Sequence, residues 1–283
     1  MKRILKTTVF AFCIILLASC KKDLDMTVLQ KTVLENTDFT CIKADRAWQI
    51  EIVQDAKCFV ELEYSAYLEP HLKCAATDSV LEIGFSASGN LASGSVNKAK
   101  VHLVDFELLE LDGACNVNVE GCFEKPFSAS LNGSSSCIGG VFLASGNVTL
   151  NGASSMKDYN GEGSFIIALE DDSHFLGNLS FPDDEAQFSV RANGHSTFVN
   201  QAESSVETAE IHVLDNSLIN MAQTEIKDSA SLEIGGNSEA TIKVKNGAGL
   251  TGKVIENSTL YHYGYAEFAS EFVCDTTSSV VRL

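Results

Sequence analysis

The sequence predicts an all-β fold, a β-solenoid of stacked rungs about 20 residues long. Three observations predict it: a repeat at near-constant spacing, strict period-two alternation, and turn-forming residues between short segments. Gly113, Gly133, Gly152, Asp171, Gly194, Asp215, Gly236 and Glu256 anchor the repeat, with gaps of 20, 19, 19, 23, 21, 21 and 20 residues. Two positions after each anchor stand Cys115, Ser135, Ser154, Ser173, Ser196, Ser217, Ser238 and Ser258. Four positions after stand Val117, Cys137, Met156, Phe175, Phe198, Ile219, Ala240 and Leu260. Two positions before stand Leu111, Leu131, Leu150, Leu169, Ala192, Val213, Ile234 and Val254.

Each column has a physical reading. A 20-residue rung cannot close its own core, so it stacks in register on its neighbours at ~4.8 Å. Even offsets from the anchor then face the core and odd offsets face solvent. The small column fits a tight corner with no room for a larger side chain. Gly and Asp at the anchors tolerate the left-handed backbone that such corners need. A twisted sandwich of regular hairpins would imitate the alternation, but would not place eight small residues at one offset.

The N-terminus sets the boundaries. Lys2, Arg3 and Lys6 precede an apolar run from Val9 to Ala18, about half of what a spanning helix needs. Leu17-Ala-Ser-Cys20 closes it as a bacterial lipoprotein signal does. Residues 1–19 are therefore expected to be removed. Cys20 is then the lipidation site and the link to a membrane, since two or more acyl chains anchor at ~0.8 kcal/mol per buried CH₂. An ordinary secretory signal with an incidental cysteine is the alternative. Residues 20–36, polar and poor in aromatics, are expected to be a flexible tether. Residues 37–283 form the β-domain, with irregular first rungs over 37–110 and the regular array over 111–265. Trp48-Gln-Ile-Glu-Ile-Val53, Phe59-Val-Glu-Leu-Glu-Tyr64, Leu81-Glu-Ile83 and Val101-His-Leu103 alternate within those first rungs. Residues 65–79 and 85–98 are the longer excursions, and 266–283 the last rung.

Charge and cysteine content exclude some partners. The chain has 283 residues and a net charge of −18. Losing the three cations of the signal leaves 17 of the 20 Lys+Arg against 38 Asp+Glu. Such a chain repels nucleic acid. Beyond Cys13 in the signal and Cys20, seven of the nine cysteines remain, at 41, 58, 74, 115, 122, 137 and 274. Seven is odd, so at least one thiol stays free. No pair has Cys-x-x-Cys or zinc-finger spacing, and burial as small apolar residues is the expected role of most.

These features together resemble the auto-transporter adhesin head GIN domain family of bacterial surface proteins, over roughly residues 37–283. The resemblance rests on Phe39-x-x-Ile42, Ile50-Glu-Ile52, Val60-Glu-Leu62, Leu81-Glu-Ile83 and Leu108-Leu-Glu-Leu-Asp-Gly-Ala114, followed by Gly/Ser-rich rungs. It implies a right-handed parallel β-helix and a surface-exposed adhesive role, and it supplies no catalytic residues. Lys21-Lys22-Asp23 after Cys20 looks like lipoproteins sorted to the outer membrane or cell surface. The expected location is the cell envelope, as an outer membrane lipoprotein that is surface-exposed; a periplasm-facing placement is the alternative.

The sequence implies a non-catalytic protein presenting its β-helix for adhesion or surface assembly, with a surface glycan or protein as ligand and no cofactor. The alternative is a carbohydrate-binding or polysaccharide-degrading lipoprotein. Degradation needs carboxylates converging from neighbouring rungs. At the Asp171 register the neighbours are Gly152 and Gly194, so no acidic column forms. Asp171, Asp172, Asp183 and Asp184 are the only metal candidates, for a Ca²⁺ that wants about six to eight oxygens; solvated acidic turns are the simpler reading. His174 and His195 occupy outward offsets. No Gly-x-Ser-x-Gly string is present. Tyr261, Tyr263 and Tyr265 share one strand face, fit either to contact a ligand or to cap the solenoid's end.

Overall fold

A repeat whose even offsets are apolar must roll up to bury them, and the chain does so in parallel coils. The computed structural model describes residues 24–35, 37–86 and 91–283. The signal over 1–19, Cys20, the first tether residues and part of the second excursion lie outside the described residues. The fold is a β-solenoid of about nine turns with rungs of about 20 residues, 60% strand and 2% helix.

Every anchor adopts the expected left-handed backbone, from φ 58° at Asp215 to 89° at Gly113, with Asp171 and Glu256 at 61° and 60°. At Gly152 the reason is steric as well as conformational. A Cβ there would lie 2.6 Å from the carbonyl oxygen of Gly133 one rung away. All eight residues of the small column and all sixteen of the two apolar columns are buried.

The early strands are β1 (Val28–Val33), β2 (Cys41–Ala44), β3 (Gln49–Gln54), β4 (Phe59–Ser65), β5 (Leu72–Thr77), β6 (Val80–Phe85), β7 (Asn97–Leu103), β8 (Leu108–Leu111) and β9 (Asn116–Phe123). Their stacking order is not their chain order. β2 lies between β6 and β8, and β3 between β7 and β9, all parallel. The chain therefore begins in the second rung, returns through β6 and β7 to lay the outermost one, and then crosses to the far side. The outermost rung is extended by antiparallel strands. β4 pairs with β7, β1 with β4, and β5 with β6.

One expectation changes here. Part of the segment expected to be a flexible tether is ordered, because Val28–Val33 is an edge strand. It is held from Val28↔Ser65 to Val33↔Val60 by backbone pairing, which needs no apolar face. The excursion at 65–79 holds a short 3₁₀ helix, Ala66–His71, leading into β5. Further along, the strands of the second face bend at bulges such as Gly139/Val141 and Lys157/Tyr159. The bend makes a short third run that carries Phe123, Phe142 and Tyr159 into the core. There Phe142 stacks on Phe127 at 4.2 Å and on Tyr159 at 4.9 Å, and Phe175 stacks on Phe198 at 5.3 Å.

The last rung is formed by Glu267–Phe268, Val273–Cys274 and Ser279–Arg282, parallel to 249–254 and 259–262. Phe272 and Val280 pack against the end of the core.

Candidate ligand-binding surface

The solenoid presents two long outer sheets, and the columns that face out of them are readable from the same anchors. Five positions before each anchor on the first face stand Ser128, Asn147, Ile166, Ser189, Glu210, Ser231 and Thr251, each paired with the next. Three positions before stand Ser130, Thr149, Ala168, Arg191, His212, Glu233 and Lys253. Charge sits at the two ends of this face. At one end Lys43 bonds Glu110 at 2.6 Å and Lys73 bonds Glu82. At the other, His212 lies 3.0 Å from both Glu210 and Glu233, and Lys253 lies 2.8 Å from Glu233.

Hydrogen bonding sets the titration of these groups. The Glu110 carboxylate raises the Lys43 ammonium. Lys73 lowers Glu82, Lys253 and then His212 lower Glu233, and His212 lowers Glu210. The middle of the face is neutral from Ser128 to Ala168, and Ser189 continues the neutral column beside the exposed cation of Arg191. Its floor is hydroxyl, amide and the exposed side chain of Ile166. A groove of about 640 Å³ runs along it, lined also by Phe127, Phe165 and Phe188.

The second face repeats the design at its N-terminal end. Lys100 bonds Glu51 at 2.7 Å, which raises its ammonium, and Lys98 bonds Glu63 at 3.3 Å. They line a groove of about 670 Å³ that β1 borders with Gln30 and Lys31. Both surfaces offer hydrogen bonds and aliphatic contact to a long ligand, and paired ions that exclude a mismatched charge.

The expected carboxylates do not meet. Asp171 and Asp172 occupy the corner after Phe165–Leu169; Asp183 and Asp184 occupy the turn before Gln187–Ala192. Asp171 accepts the Gly152 amide at 3.3 Å, Asp172 lies 3.6 Å from His195, and Asp184 lies 3.1 Å from Lys227. Among the described residues no group of three or more His, Cys, Asp or Glu is placed to hold a metal ion. His174 and His195 are exposed. The tyrosines point outward rather than over the core's end. Tyr261 is half-buried, Tyr263 and Tyr265 are exposed, and Arg282 lies over the Tyr265 ring at 4.1 Å. Phe272 and Val280, not the tyrosines, pack on the core's end. Tyr159 is buried in the core.

All seven described cysteines are free thiols. Burial pushes Cys137 up to about 12 and Cys115 to about 11, so neither is reactive at neutral pH. Among the described residues no helix is long and apolar enough to cross a membrane.

With this geometry in view, residues 38–165 match the family described as "Putative auto-transporter adhesin, head GIN domain". This segment is similar to the GIN-domain family. The same architecture recurs in solved structures that span almost the whole chain. A protein described as a putative adhesin from Parabacteroides distasonis superposes with a TM-score of 0.62 at 15% identity, over 92% of this chain and 98% of its own. A second, from Parabacteroides merdae, gives 0.55 at 16% identity, over 91% and 96%. A third, from P. distasonis and described as a putative lipid binding protein, gives 0.53 at 14% identity, over 92% and 98%. At these identities the likeness is one of fold, and it spans the solenoid on both sides of residue 165. No curated protein matches the chain.

Proposed function

We propose that this chain is a non-catalytic, lipid-anchored protein of the cell envelope that displays its solenoid at the cell surface for adhesion or surface assembly. The observation that carries the reading is the GIN-family match over 38–165 on a solenoid whose outer faces are continuous ladders. The adhesin descriptions of two structural neighbours support it. So does the chemistry of the grooves. Neutral hydroxyl and amide rows flanked by paired ions suit multivalent contact along a surface ligand, protein or glycan, better than bond cleavage.

The anchor gives the rod a direction. Seven residues separate Cys20 from Val28, and the eight steps between them reach at most about 29 Å when extended. The antiparallel end of the solenoid is then membrane-proximal, and the last rung is distal. Outer membrane placement follows Lys21-Lys22-Asp23.

The experiment is acyl labelling and membrane fractionation of the wild type and Cys20→Ala. The wild type is expected to carry label and sediment with membranes, and the variant to do neither. Equal labelling and partitioning of both chains would overturn the anchor.

A further inference from the structure

One cation of the first face is left without a carboxylate. Lys43, Lys73 and Lys253 hold Glu110, Glu82 and Glu233. Arg191 is exposed, and its guanidinium makes no hydrogen bond or ion pair among the described residues. Glu210 stands one rung away and feels its charge, but both Glu210 oxygens are engaged, by His212 at 3.0 Å and by the Ser189 hydroxyl at 3.3 Å. A guanidinium without an acceptor is a planar fork of donors open to a carboxylate. Arg191 borders the groove of about 640 Å³, two residues beyond Ser189 on the outward side of Gln187–Ala192.

The groove beside it is lined by side chains with hydrogen-bonding capacity to spare. Seven positions before their anchors stand Ser145, Ser164 and Gln187. The Ser145 hydroxyl oxygen accepts the Ser164 amide at 3.1 Å, and the Ser164 oxygen accepts the Gln187 amide at 2.9 Å. Each hydroxyl proton is left to donate outward. The side-chain amides of Asn147 and Gln187 have no partner among the described residues. Ile166, 59% exposed, lies between Asn147 and Ser189 in the adjoining row.

These features select among ligand classes. The strands at 127–131, 146–150, 165–169 and 187–192 are paired on both sides, so the groove opens no main-chain edge to a polypeptide. An extended polypeptide also advances ~3.4 Å per residue, against rungs ~4.8 Å apart. Linked pyranose rings advance about one ring per rung, with hydroxyl and ring oxygens to accept from the donors and an apolar ring face to lie on Ile166. The net charge of −18 repels polyanions, so the ligand's charge is confined to the place where Arg191 meets it. We infer that this strip binds a glycan of neutral sugars bearing one carboxylate-carrying sugar. Arg191 takes the carboxylate, Ser145, Ser164, Asn147 and Gln187 take the neutral rings, and Ile166 packs on a ring face. The inference rests on the adhesive reading and names the ligand of its groove.

The test is an array of matched glycans, each neutral chain printed also with a terminal uronate or sialate and with a terminal sulfate. The full chain is applied in mild detergent. At least one carboxylate-bearing member should bind about tenfold or more tightly than its neutral twin. Arg191→Gln, exposed and unpaired, should melt as wild type does and bind the two twins alike. Ile166→Asp should lose the carboxylate-bearing member altogether, because it removes the ring contact and sets a like charge one rung from Arg191. On unaltered protein, added salt should weaken the carboxylate-bearing member and spare its neutral twin. The inference is overturned if no carboxylate-bearing glycan binds, if neutral or sulfated twins bind as well or better, or if Arg191→Gln retains the preference. Binding of neutral glycans alone would overturn it and leave the adhesive reading standing. Where nothing on the array binds, this inference falls, and adherence of whole cells with and without the protein judges the adhesive reading separately.

Discussion

Ser196→Leu tests the corner on which the whole stack depends. Ser196 is fully buried, and its hydroxyl donates to the Asn193 carbonyl and, at 3.2 Å, to that of Asp171. Its column neighbours are Ser173 and Ser217, one rung away on each side at ~4.8 Å. A leucine must find room for its branched end between two backbones that cannot part without breaking their own ladder. Overpacking of this kind costs ~1–3 kcal/mol. The lost hydrogen bond adds ~0.5–1.5 kcal/mol; the Asp171 carbonyl still accepts the His195 amide at 2.6 Å, so it is not orphaned. The total is about 2–4 kcal/mol, which for a domain of this size lowers the melting temperature by roughly 5–15 °C. Thr197 stands next to it on the outer face, half-buried between His174 and Leu218. Thr197→Leu should stay within about 0.5 kcal/mol of wild type. Ser173→Ala supplies a third arm. The Ser173 hydroxyl is buried without a partner, so its removal should leave stability unchanged or raise it. Circular dichroism melts of the three variants read the result. Equal losses for Ser196→Leu and Thr197→Leu would refute the register.

Three further outcomes follow from the same geometry. Phe142→Ala removes the ring that joins Phe127 to Tyr159 and should cost ~3–5 kcal/mol in urea unfolding through the cavity it leaves. Asp172→Asn should melt as wild type does and leave calorimetric Ca²⁺ binding unchanged, because this exposed carboxylate meets only His195; a stable variant with lost function would contradict the adhesive reading. Acidification should loosen the last rungs first, as hydrogen exchange of 259–283 resolves. Burial holds His262 below the ordinary 6.5, so its stabilising contribution is complete above pH 6.5 and is lost as pH falls toward its folded value. Asp275, held at about 2 chiefly by the Glu256 amide, loses its own contribution only between about pH 4 and 2.

How far the sequence discloses this molecule depends on what each signal measures. The anchor, small and apolar columns report steric demand at fixed points of a coil, and there the structure agrees residue for residue from Gly113 to Leu260. The same pattern begins earlier, at Ala44, Arg46 with φ 70°, Trp48 and Ile50. It is hidden because β4 to β7 intervene and because the small position holds a tryptophan. Trp48 fits there by stacking on Phe85 of the outermost rung at 5.0 Å. The third run escapes notice because the bulges shift the period by one residue, so Phe123, Phe142 and Tyr159 fall out of the columns. β1 reads as linker because an edge strand held by backbone bonds leaves little trace in side chains. The acidic pairs stand out in composition, yet composition does not report that they sit at different corners. The neutral strip from Ser128 to Ser189 is legible at five positions before each anchor, the outward counterpart of the buried columns.

Protease shaving of intact cells tests the central claim most directly. If the solenoid is displayed outward from a lipid on Cys20, added protease should remove the epitope of a tag placed in the exposed Ser270–Glu271 turn. A periplasmic marker in the same cells should survive, and Cys20→Ala cells should carry no surface epitope. Full protection of that epitope in intact cells, with cleavage only after the outer membrane is opened, would contradict the account.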